Sequence, residues 1–416
     1  MSIWRAMRYR VRAAAGIVLA VGVAAGAAGM ASPAQAQPVL KLPPRSAAVS
    51  WGFNLFGQLG NGTTTDSATY AGVSGLSSGV ARVSAGFDNS MALTTGGTVW
   101  TWGSEAVLGT GSTADSTVPV PVPGLAGITQ IAAGAGDTDF DLALRSDGTV
   151  WSWGFNSLGQ LGDGSAGSSP TPVQVTGLTG VTQIAAGDGF GLALRSDGTV
   201  WAWGWNRNGV LGDAAPVGSN SDVPVQVTGL SNVIQIAAGY TSAMAVRVQD
   251  RRGSVLRTVW TWGSNSYGQL GDGTTTDSAT PVEVAGLDVP AVTAISAGGL
   301  FSMVLGSDGS VWAWGVNSGG QLGTGTTTSE LRPVKILDTA VTAISAGQYH
   351  ALALLRGGSV LAWGTGLFGL DTSSLTPKVV PSLAGVTQIS AGGEYSLAVH
   401  QVVLVFVPGG PQHSGS

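Results

Sequence analysis

Short runs in which apolar and polar residues alternate recur along most of this chain. In one unit they lie at residues 181–184, 192–194, 199–204 and 224–227, and the polar segment Ser196-Asp197-Gly198 separates the second run from the third. Alternation with a period of two is typical of half-buried strands, and Asp-Gly between two such runs is typical of a tight hairpin. The unit shows no helical period. The pattern therefore predicts about four short strands per unit.

The unit occurs seven times. Residues 51–67 and 262–278 are identical at 13 of 17 positions, and two markers extend the repetition along the chain. The first marker is a Trp-Gly pair, with its tryptophan at Trp51, Trp102, Trp153, Trp203, Trp262, Trp314 and Trp363. The second is an Ala-Gly pair, with its glycine at Gly86, Gly134, Gly187, Gly239, Gly298, Gly347 and Gly392. A fixed period of about 50 residues with four strands per repeat predicts an all-β, seven-bladed β-propeller.

The two markers also carry a family resemblance. The patterns W-G-x-N-x-x-G-Q-L-G-x-G and A-G-x-x-x-x-x-A-L-x-x-D-G-x-V-W-x-W-G resemble the regulator of chromosome condensation repeat over roughly residues 47–401. The resemblance implies a seven-bladed β-propeller. Members of that family include nuclear guanine-nucleotide exchange factors and exported bacterial proteins, some of which bind and inhibit β-lactamases. With the N-terminal segment described below, the chain is most similar to the exported bacterial type.

Closure of the ring can be achieved from either end of the chain. Residues 48–52, Ala-Val-Ser-Trp-Gly, match the third strand of a repeat, although no earlier repeat strand precedes them. Their natural partner is the last repeat strand, at residues 396–399, and pairing the two would remove exposed edges. The rival for the same place is the C-terminal segment at residues 405–409. Closure by the N-terminal strand is favoured, because that strand carries the repeat tryptophan and the rival carries a proline.

The first 36 residues predict an export signal. Four arginines, Arg5, Arg8, Arg10 and Arg12, precede an apolar stretch at residues 13–30, and Ala34-Gln35-Ala36 fits a signal-peptidase site. We therefore expect a signal peptide at residues 1–36, a linker at 37–46, the propeller at 47–401 and a tail at 402–416. The alternative is an uncleaved membrane anchor, for which the apolar stretch is short. The expected location is secreted, periplasmic or in the cell envelope, without membrane contact after cleavage.

The mature chain would be acidic and free of cysteine. Removal of the signal leaves 14 basic and 23 acidic residues, so the net charge changes from −5 to −9. Nonspecific affinity for nucleic acids comes mainly from Lys and Arg, so this balance argues against a nucleic-acid partner. The absence of cysteine excludes disulfides and thiolate metal sites. No cofactor is expected.

The residues just after each Ala-Gly pair vary while the scaffold repeats, and many of them are aromatic. We predict that they form a ring on one end of the propeller that binds a protein, because aromatic residues beside charges are typical of binding hot spots. The predicted ring consists of Phe87, Asp88, Asp188, Phe190, Tyr240, Phe301, Tyr349, His350, Glu394 and Tyr395. The alternative is that several of these side chains fill the central channel.

One predicted hairpin is seven residues longer than its equivalents. The extra residues lie at 248–254 and bring basic side chains to the hairpin, namely Arg247, Arg251, Arg252 and Arg257. A basic finger on an acidic disc could dock an acidic partner. The alternative is a surface insertion without function, because hairpin tips tolerate extra length.

Three further features admit both a ligand-binding and a structural interpretation. Five Trp-x-Trp pairs could stack on sugar rings, but their recurrence favours packing between blades, where each buried indole contributes up to about 5 kcal/mol.

Acids recur in the Gln-Leu-Gly loops at Asp163, Asp213, Asp272 and Asp277. Calcium needs six to eight converging oxygens, so turn capping is favoured for them. A longer loop carries Asp137, Asp139 and Asp141, which either hold a cation or form a solvated bulge.

Catalysis has little support in the sequence. The three histidines, His350, His400 and His413, stand in no local signature of a hydrolytic triad. Export and the acidic charge argue against nuclear exchange activity. We therefore predict a monomeric, non-catalytic propeller that binds a protein through one face of the ring and inhibits an extracellular or periplasmic enzyme. The alternative is a lectin-like propeller that binds glycans or the cell wall.

Overall fold

Seven four-stranded antiparallel sheets form the blades of this protein. The computed structural model describes residues 40–41, 45–104, 108–136, 140–251, 254–338, 340–366, 373–402 and 405–406. In blades 1 to 6 the four strands follow one another along the chain, and blade 7 combines strands from both ends of it. In the described part of the chain, no helix is both long and apolar enough to cross a membrane.

The strands are short, as the alternating pattern predicts. Blades 1 and 2 contain β4 (Val80–Ala85), β5 (Asn89–Thr94), β6 (Val99–Gly103) and β7 (Ser116–Pro121), then β8 (Ile128–Ala133), β9 (Phe140–Arg145), β10 (Val150–Gly154) and β11 (Ser169–Gln174). Blades 3 and 4 contain β12 (Val181–Ala186), β13 (Phe190–Arg195), β14 (Val200–Gly204) and β15 (Ser221–Gln226), then β16 (Val233–Ala238), β17 (Ser242–Arg251), β18 (Ser254–Gly263) and β19 (Ser278–Glu283). Blades 5 and 6 contain β20 (Val292–Ala297), β21 (Phe301–Gly306), β22 (Ser310–Gly315) and β23 (Glu330–Asp338), then β24 (Val341–Ala346), β25 (His350–Leu355), β26 (Val360–Gly364) and β27 (Ser374–Val379). Blade 7 contains β28 (Val386–Ala391), β29 (Tyr395–Val402), β2 (Arg45–Gly52) and β3 (Ser67–Gly72). A separate unit pairs β1 (Leu40–Lys41) with β30 (Val405–Phe406).

The N-terminal strand closes the ring. Strand β2 pairs with β29 along its whole length, from Gly52 opposite Tyr395 to Arg45 opposite Val402. The innermost strands then follow one another in a closed cycle of β4, β8, β12, β16, β20, β24 and β28. The predicted seven-bladed β-propeller and its closure are thus confirmed. The rival segment pairs with β1 instead.

The residues at and just after the Ala-Gly pairs form a ring of backbone hydrogen bonds around the central channel. The N–H of Phe87 donates to the Gly134 oxygen at 3.0 Å, and similar bonds link each blade to the next until Gly393 donates to the Gly86 oxygen at 3.0 Å. Six of these bonds end at a repeat glycine, whereas Asp188 N–H donates to the Tyr240 oxygen, one residue beyond it, at 3.3 Å. A Cβ at Gly298 would lie 2.6 Å from the Gly347 oxygen. Glycine is therefore required because the blades approach one another more closely there than a side chain permits.

The repeat tryptophans pack between blades. All seven are fully buried, and the indole N–H of Trp203 donates to the Gln160 oxygen of the preceding blade at 2.9 Å. The first tryptophan of a pair is half-buried, and the Arg145 guanidinium lies 4.5 Å from the centre of the Trp151 ring. Packing therefore accounts for the Trp-x-Trp pairs, and in four of the five pairs a cation covers a ring face that a sugar would need.

Two faces of the propeller differ in their loops. Loops after the Ala-Gly pairs and the Gln-Leu-Gly loops between the third and fourth strands emerge at one end, which we call the loop face. The Asp-Gly hairpins and the connections between blades emerge at the other end, which we call the hairpin face. Because strand direction alternates within an antiparallel sheet, the topology assigns each candidate residue to one face.

Candidate functional site

The residues predicted to form one ring occupy three different positions after the repeat glycine. The first and second positions lie in the loop. The third position begins the second strand of a blade and is occupied by Phe190, Phe301, His350 and Tyr395. These four side chains are buried between blades, with at most 1% of their surface exposed. The prediction is therefore wrong for them, because a strand residue at this position points into the interface between blades.

Tyr395 is a polar core residue. Its hydroxyl accepts a hydrogen bond from the Gly86 N–H at 3.1 Å, lies 2.9 Å from Ser90 Oγ and donates to the Asn89 oxygen. Burial is the main cause that raises the pKa of this hydroxyl above its ordinary value. The side chain therefore ties blade 7 to blade 1 as a neutral phenol.

His350 has a similar role between blades 6 and 7. Its Nε2 atom lies 2.9 Å from Ser396 Oγ, and both side chains are buried. Burial lowers the pKa of His350 to about 4, so the imidazole is neutral at pH 7. A histidine–serine pair is part of many hydrolytic sites, but a substrate would need access to this one. The pair is structural.

Two buried acids lie near the lengthened loop. Asp188, a predicted ring residue, is buried, and a Cβ on Gly136 would lie 2.4 Å from its carboxyl carbon. It therefore packs against the neighbouring blade and is not part of an exposed ring. Asp141 is fully buried, and its two oxygens accept hydrogen bonds from Asn89 Nδ2 at 3.0 and 2.9 Å. Burial raises the pKa of Asp141 to about 7, although the Asn89 bond opposes this shift. Asp137 and Asp139 lie outside the described residues.

Five predicted ring residues remain accessible on the loop face. Tyr349 is 40% exposed and Glu394 is exposed, while the others are half-buried, namely Phe87, Asp88 and Tyr240. All five lie at the first or second position after a repeat glycine, within loops that the ring of backbone hydrogen bonds anchors. These residues, and not the whole predicted ring, are candidates for binding.

Two adjoining cavities bring these residues together. The larger, which we call the groove, has a volume of about 480 Å³, and its apolar walls are Tyr240, Tyr267, Leu300, Val316 and Tyr349. The smaller, which we call the aromatic pocket, has a volume of about 230 Å³ and is lined by Phe53, Phe56, Phe87, Asp88, Gln348, Tyr349, Gly393 and Glu394. The two cavities share Gln348 and Tyr349. The loop face therefore carries an apolar depression, made of two cavities that adjoin at these residues, with carboxylates at one end.

Three aromatic residues of this depression were not among the predicted site residues. Phe53, Phe56 and Tyr267 lie in the Gln-Leu-Gly loops, at variable positions of the W-G-x-N-x-x-G pattern. The neighbouring asparagine of the pattern holds the loop, since Asn265 Oδ1 accepts the Leu270 N–H at 2.9 Å. The sequence did contain a signal for these residues, because an aromatic residue at a variable position of the repeat motif has no packing role in the repeat. Its position beside the Ala-Gly loops follows only from the topology.

In the described part of the chain, no aromatic side chain lines the narrow space of the central channel. This space is lined by alanine and glycine of the Ala-Gly pairs, together with Ala135, Gly299 and Gln348. The alternative interpretation, in which several of the predicted ring side chains fill the channel, is therefore wrong. The buried members pack between blades.

The predicted basic finger lies on the hairpin face, opposite the depression. Strands β17 and β18 pair over ten residues each, and both described arginine side chains of the finger have local contacts. The Arg247 guanidinium lies 5.5 Å from the centre of the Trp260 ring, and Arg257 Nη1 donates to the Val292 oxygen at 3.0 Å. The side chain of Arg251 and the whole of Arg252 lie outside the described residues. A docking role for the finger stays a prediction.

The loop acids cap turns. Asp272 Oδ1 accepts the Thr274 N–H at 2.8 Å, and Asp277 Oδ1 accepts the Asn265 N–H at 2.7 Å. Equivalent bonds are made by Asp163 and Asp213. Among the residues with described positions, no three histidine or acidic side chains are grouped so that they could hold a metal ion.

Charge is divided unequally between the two faces. Among the described side chains that are not buried, the loop face carries the acids Asp66, Asp88, Asp115, Asp163, Asp213, Asp222, Asp272, Asp277, Glu330 and Glu394, and the bases Arg207 and Arg332. The hairpin face carries the bases Arg45, Arg82, Arg145, Arg195, Arg247, Arg257, Lys335, Arg356 and Lys378, and the acids Asp147, Asp197, Asp250, Glu283, Asp288, Asp308 and Asp338. The acidic excess of the protein therefore lies on the face that carries the depression.

Comparison with known protein families gives one consistent relationship. Residues 141–414 match the family described as RCC1-like domain, and residues 96–138 and 80–106 match the regulator of chromosome condensation (RCC1) repeat. The ultraviolet-B receptor UVR8 of Arabidopsis thaliana is 32% identical over 69% of this chain and 65% of its own length. The human E3 ubiquitin-protein ligase HERC2 is 28% identical over 71% of this chain and 5% of its own length. The chain thus spans less than two thirds of these relatives.

Solved structures show the same fold. Yeast RCC1 (Prp20), solved with Kap60 bound to it, has a TM-score of 0.75 and 20% identity, and the match covers 87% of this chain and 90% of that one. Human WBSCR16 has a TM-score of 0.74 and 21% identity, with 85% and 98% covered. At this level of identity the likeness concerns architecture alone.

Proposed function

The chain belongs to the RCC1-like domain family, and we propose that it is a non-catalytic interaction propeller whose loop face binds a protein. The depression formed by the groove and the aromatic pocket carries this proposal. Apolar, aromatic-rich centres with polar rims are typical of protein interfaces. Tyr267 and Tyr349, which are 47% and 40% exposed, are the anchors that a partner would cover.

Relatives support a protein partner. Yeast RCC1 (Prp20) was solved with Kap60, and a second study of Prp20p concerns its binding to Gsp1p and histones. Those partners belong to the yeast protein. A glycan partner has less support, because cations lie over the rings of Trp151, Trp201, Trp260 and Trp312.

We further propose that the protein is exported and that it inhibits an extracellular or periplasmic enzyme. Export is supported by the N-terminal arginines, the apolar stretch and the Ala34-Gln35-Ala36 site. Inhibition is supported by the resemblance to exported family members that block β-lactamases. A mature N-terminus at Gln37 in the extracellular or periplasmic fraction would agree with export, and an intact N-terminus in the cytoplasm would contradict it. We propose that the exported form is a monomer.

Affinity capture tests the binding face. The chain from Gln37 onward is immobilised beside a Tyr267→Ala/Tyr349→Ala variant, and proteins retained from extracellular and envelope fractions are identified and purified. The affinity of each purified protein is then measured by calorimetry. We expect the parent chain to bind a partner at least about tenfold more tightly than the variant, because interface tyrosines often contribute 1.4 kcal/mol or more.

A Val255→Ala/Leu256→Ala variant is the matched control. Both residues are exposed, at 71% and 40%, but they lie on the hairpin face. This variant should bind as the parent does, and all three proteins should keep the same melting temperature. Equal affinity of the parent and the tyrosine variant for every partner would refute a role for the loop face.

A further inference from the structure

The aromatic pocket has walls that suit a positive charge. Its lining combines four aromatic rings with two carboxylates, and none of the described residues that line it is basic. The rings belong to Phe53, Phe56, Phe87 and Tyr349, and the carboxylates to Asp88 and Glu394. We infer that the aromatic pocket takes a lysine or arginine side chain of the partner protein. This inference rests on the proposed function and names the chemistry of the partner.

Aromatic rings and carboxylates attract a cation in complementary ways. The face of an aromatic ring carries partial negative charge and holds ammonium and guanidinium groups, while its apolar surface packs against the aliphatic stem of the same side chain. A carboxylate at the rim accepts charge-assisted hydrogen bonds from the terminal group. The pocket therefore matches a side chain that is apolar along its length and charged at its tip.

The pocket is built at the place where the ring closes. Its rings and carboxylates come from blades 6, 7 and 1, and backbone hydrogen bonds fix the loops that carry them. Phe53 N–H donates to the Glu394 oxygen at 3.1 Å, Gln348 N–H to the Gly392 oxygen at 3.1 Å, and Gly393 N–H to the Gly86 oxygen at 3.0 Å. Preorganised walls reduce the entropy that binding costs.

The size and surroundings of the pocket indicate a side chain of a protein as the occupant. Its volume of about 230 Å³ is below the range of about 300–1,000 Å³ that is typical of sites for drug-sized ligands. It adjoins the groove at Gln348 and Tyr349, so a polypeptide that covers the groove can place a side chain in the entrance of the pocket. The acidic excess of the loop face would steer a basic segment toward this entrance.

Two peptides of opposite charge test the inference. One labelled peptide alternates lysine and arginine with serine and glycine, and the other has glutamate at every basic position. Fluorescence anisotropy should show binding of the basic peptide alone. An Asp88→Asn/Glu394→Gln variant should lose at least about tenfold in affinity, and a Phe56→Leu/Phe87→Leu variant should also bind more weakly, because leucine keeps the apolar volume but removes the ring faces.

An Asp147→Asn/Asp197→Asn variant is the charge-matched control. Both acids lie on the hairpin face, so the same change in net charge is made away from the pocket. Equal weakening by this control would show a general attraction to the acidic protein and overturn the inference. Tetramethylammonium binding that depends on the pocket, without binding of the basic peptide, would also overturn it, because the occupant would then be a small free cation.

The partner found by affinity capture separates this inference from the proposed function. Loss of that partner in both the tyrosine variant and the Asp88→Asn/Glu394→Gln variant supports both. If only the tyrosine variant loses the partner, the loop face is still the binding face, but the inference that the aromatic pocket takes a basic side chain is overturned. Unchanged binding in both variants overturns both proposals.

Discussion

At the scale of single residues, Asp141 is the most unusual side chain of the described core. It is a fully buried acid whose pKa burial raises to about 7, and its partners Asn89 and Trp153 are neutral. In the unfolded chain an aspartate titrates near 3.8. Between pH 3.8 and about pH 7, Asp141 holds a proton in the folded protein that it has lost in the unfolded chain. Folding is therefore stabilised at low pH, and this stabilisation is lost as the pH rises through 7.

Buried His350, whose pKa is lowered to about 4, favours pH 8 over pH 5, so the contribution of Asp141 is measured as the difference between the parent chain and a variant. Asp141 itself should raise the melting temperature at pH 5 relative to pH 8, since each pKa unit corresponds to about 1.4 kcal/mol. An Asp141→Asn variant should lose most of this difference, because asparagine does not titrate. Differential scanning calorimetry at both pH values measures the effect. An Asp147→Asn variant is the control, because hydrogen bonds from Thr149 lower the pKa of that exposed acid. A difference that persists unchanged in Asp141→Asn would contradict this assignment.

The residue scale is also where prediction from the sequence failed. Phe301 and Tyr349 are both aromatic and lie three and two residues after a repeat glycine, yet Phe301 is buried and Tyr349 is 40% exposed. The difference is a matter of register, because the third position after the repeat glycine already belongs to a strand and the second does not. A pattern of aromatic residues does not separate these positions until the first residue of the strand is known.

At the scale of elements, the repeat markers have separate structural causes. The Trp-Gly pair recurs because an indole is buried between blades at that position, and the Ala-Gly pair recurs because backbones approach closely around the channel. Both causes act on every blade, so they produce a periodic signal from which strands, turns and blade number could be predicted. The Gln-Leu-Gly loops also vary in regular places, but their contacts with loops of the neighbouring blade are not encoded by any period.

A Gly298→Ala substitution tests the cause of the Ala-Gly marker. The added Cβ would lie 2.5 Å from the Phe301 ring and 2.6 Å from the Gly347 oxygen, so strands of two blades would have to move apart. We expect a loss of about 1–3 kcal/mol in stability and a lower melting temperature. Gly357→Ala is the matched control, since a Cβ there has no neighbour within 4 Å. Equal melting temperatures of the two variants would show that close approach is not what requires glycine.

At the scale of the whole molecule, the ring separates two faces that are mixed along the sequence. Asp163 and Arg195 lie in adjacent blades, but the first belongs to the loop face and the second to the hairpin face. The net charge of the sequence predicts an acidic protein but does not show how the charged residues are distributed between the two faces. The topology shows it, because each strand carries the chain from one face to the other. The ring can therefore present an acidic, aromatic surface while the opposite surface has a small basic excess.

Closure of this ring depends on strand β2, and a truncation tests that dependence. Trp51 and Val49 of β2 pack in one core cluster with Leu352 and Val360 of blade 6, and β2 covers the edge of β29. A chain that begins at Ser67 should have a much lower melting temperature and a tendency to aggregate, because it lacks a buried tryptophan and exposes a strand edge. A chain that begins at Arg45 is the control and should melt as the full chain does. Adding a peptide of residues 45–66 should restore the stability of the shorter chain, since the missing strand is then supplied from outside. If the chain that begins at Ser67 melts like the control, another element closes the ring and the role of β2 is wrong.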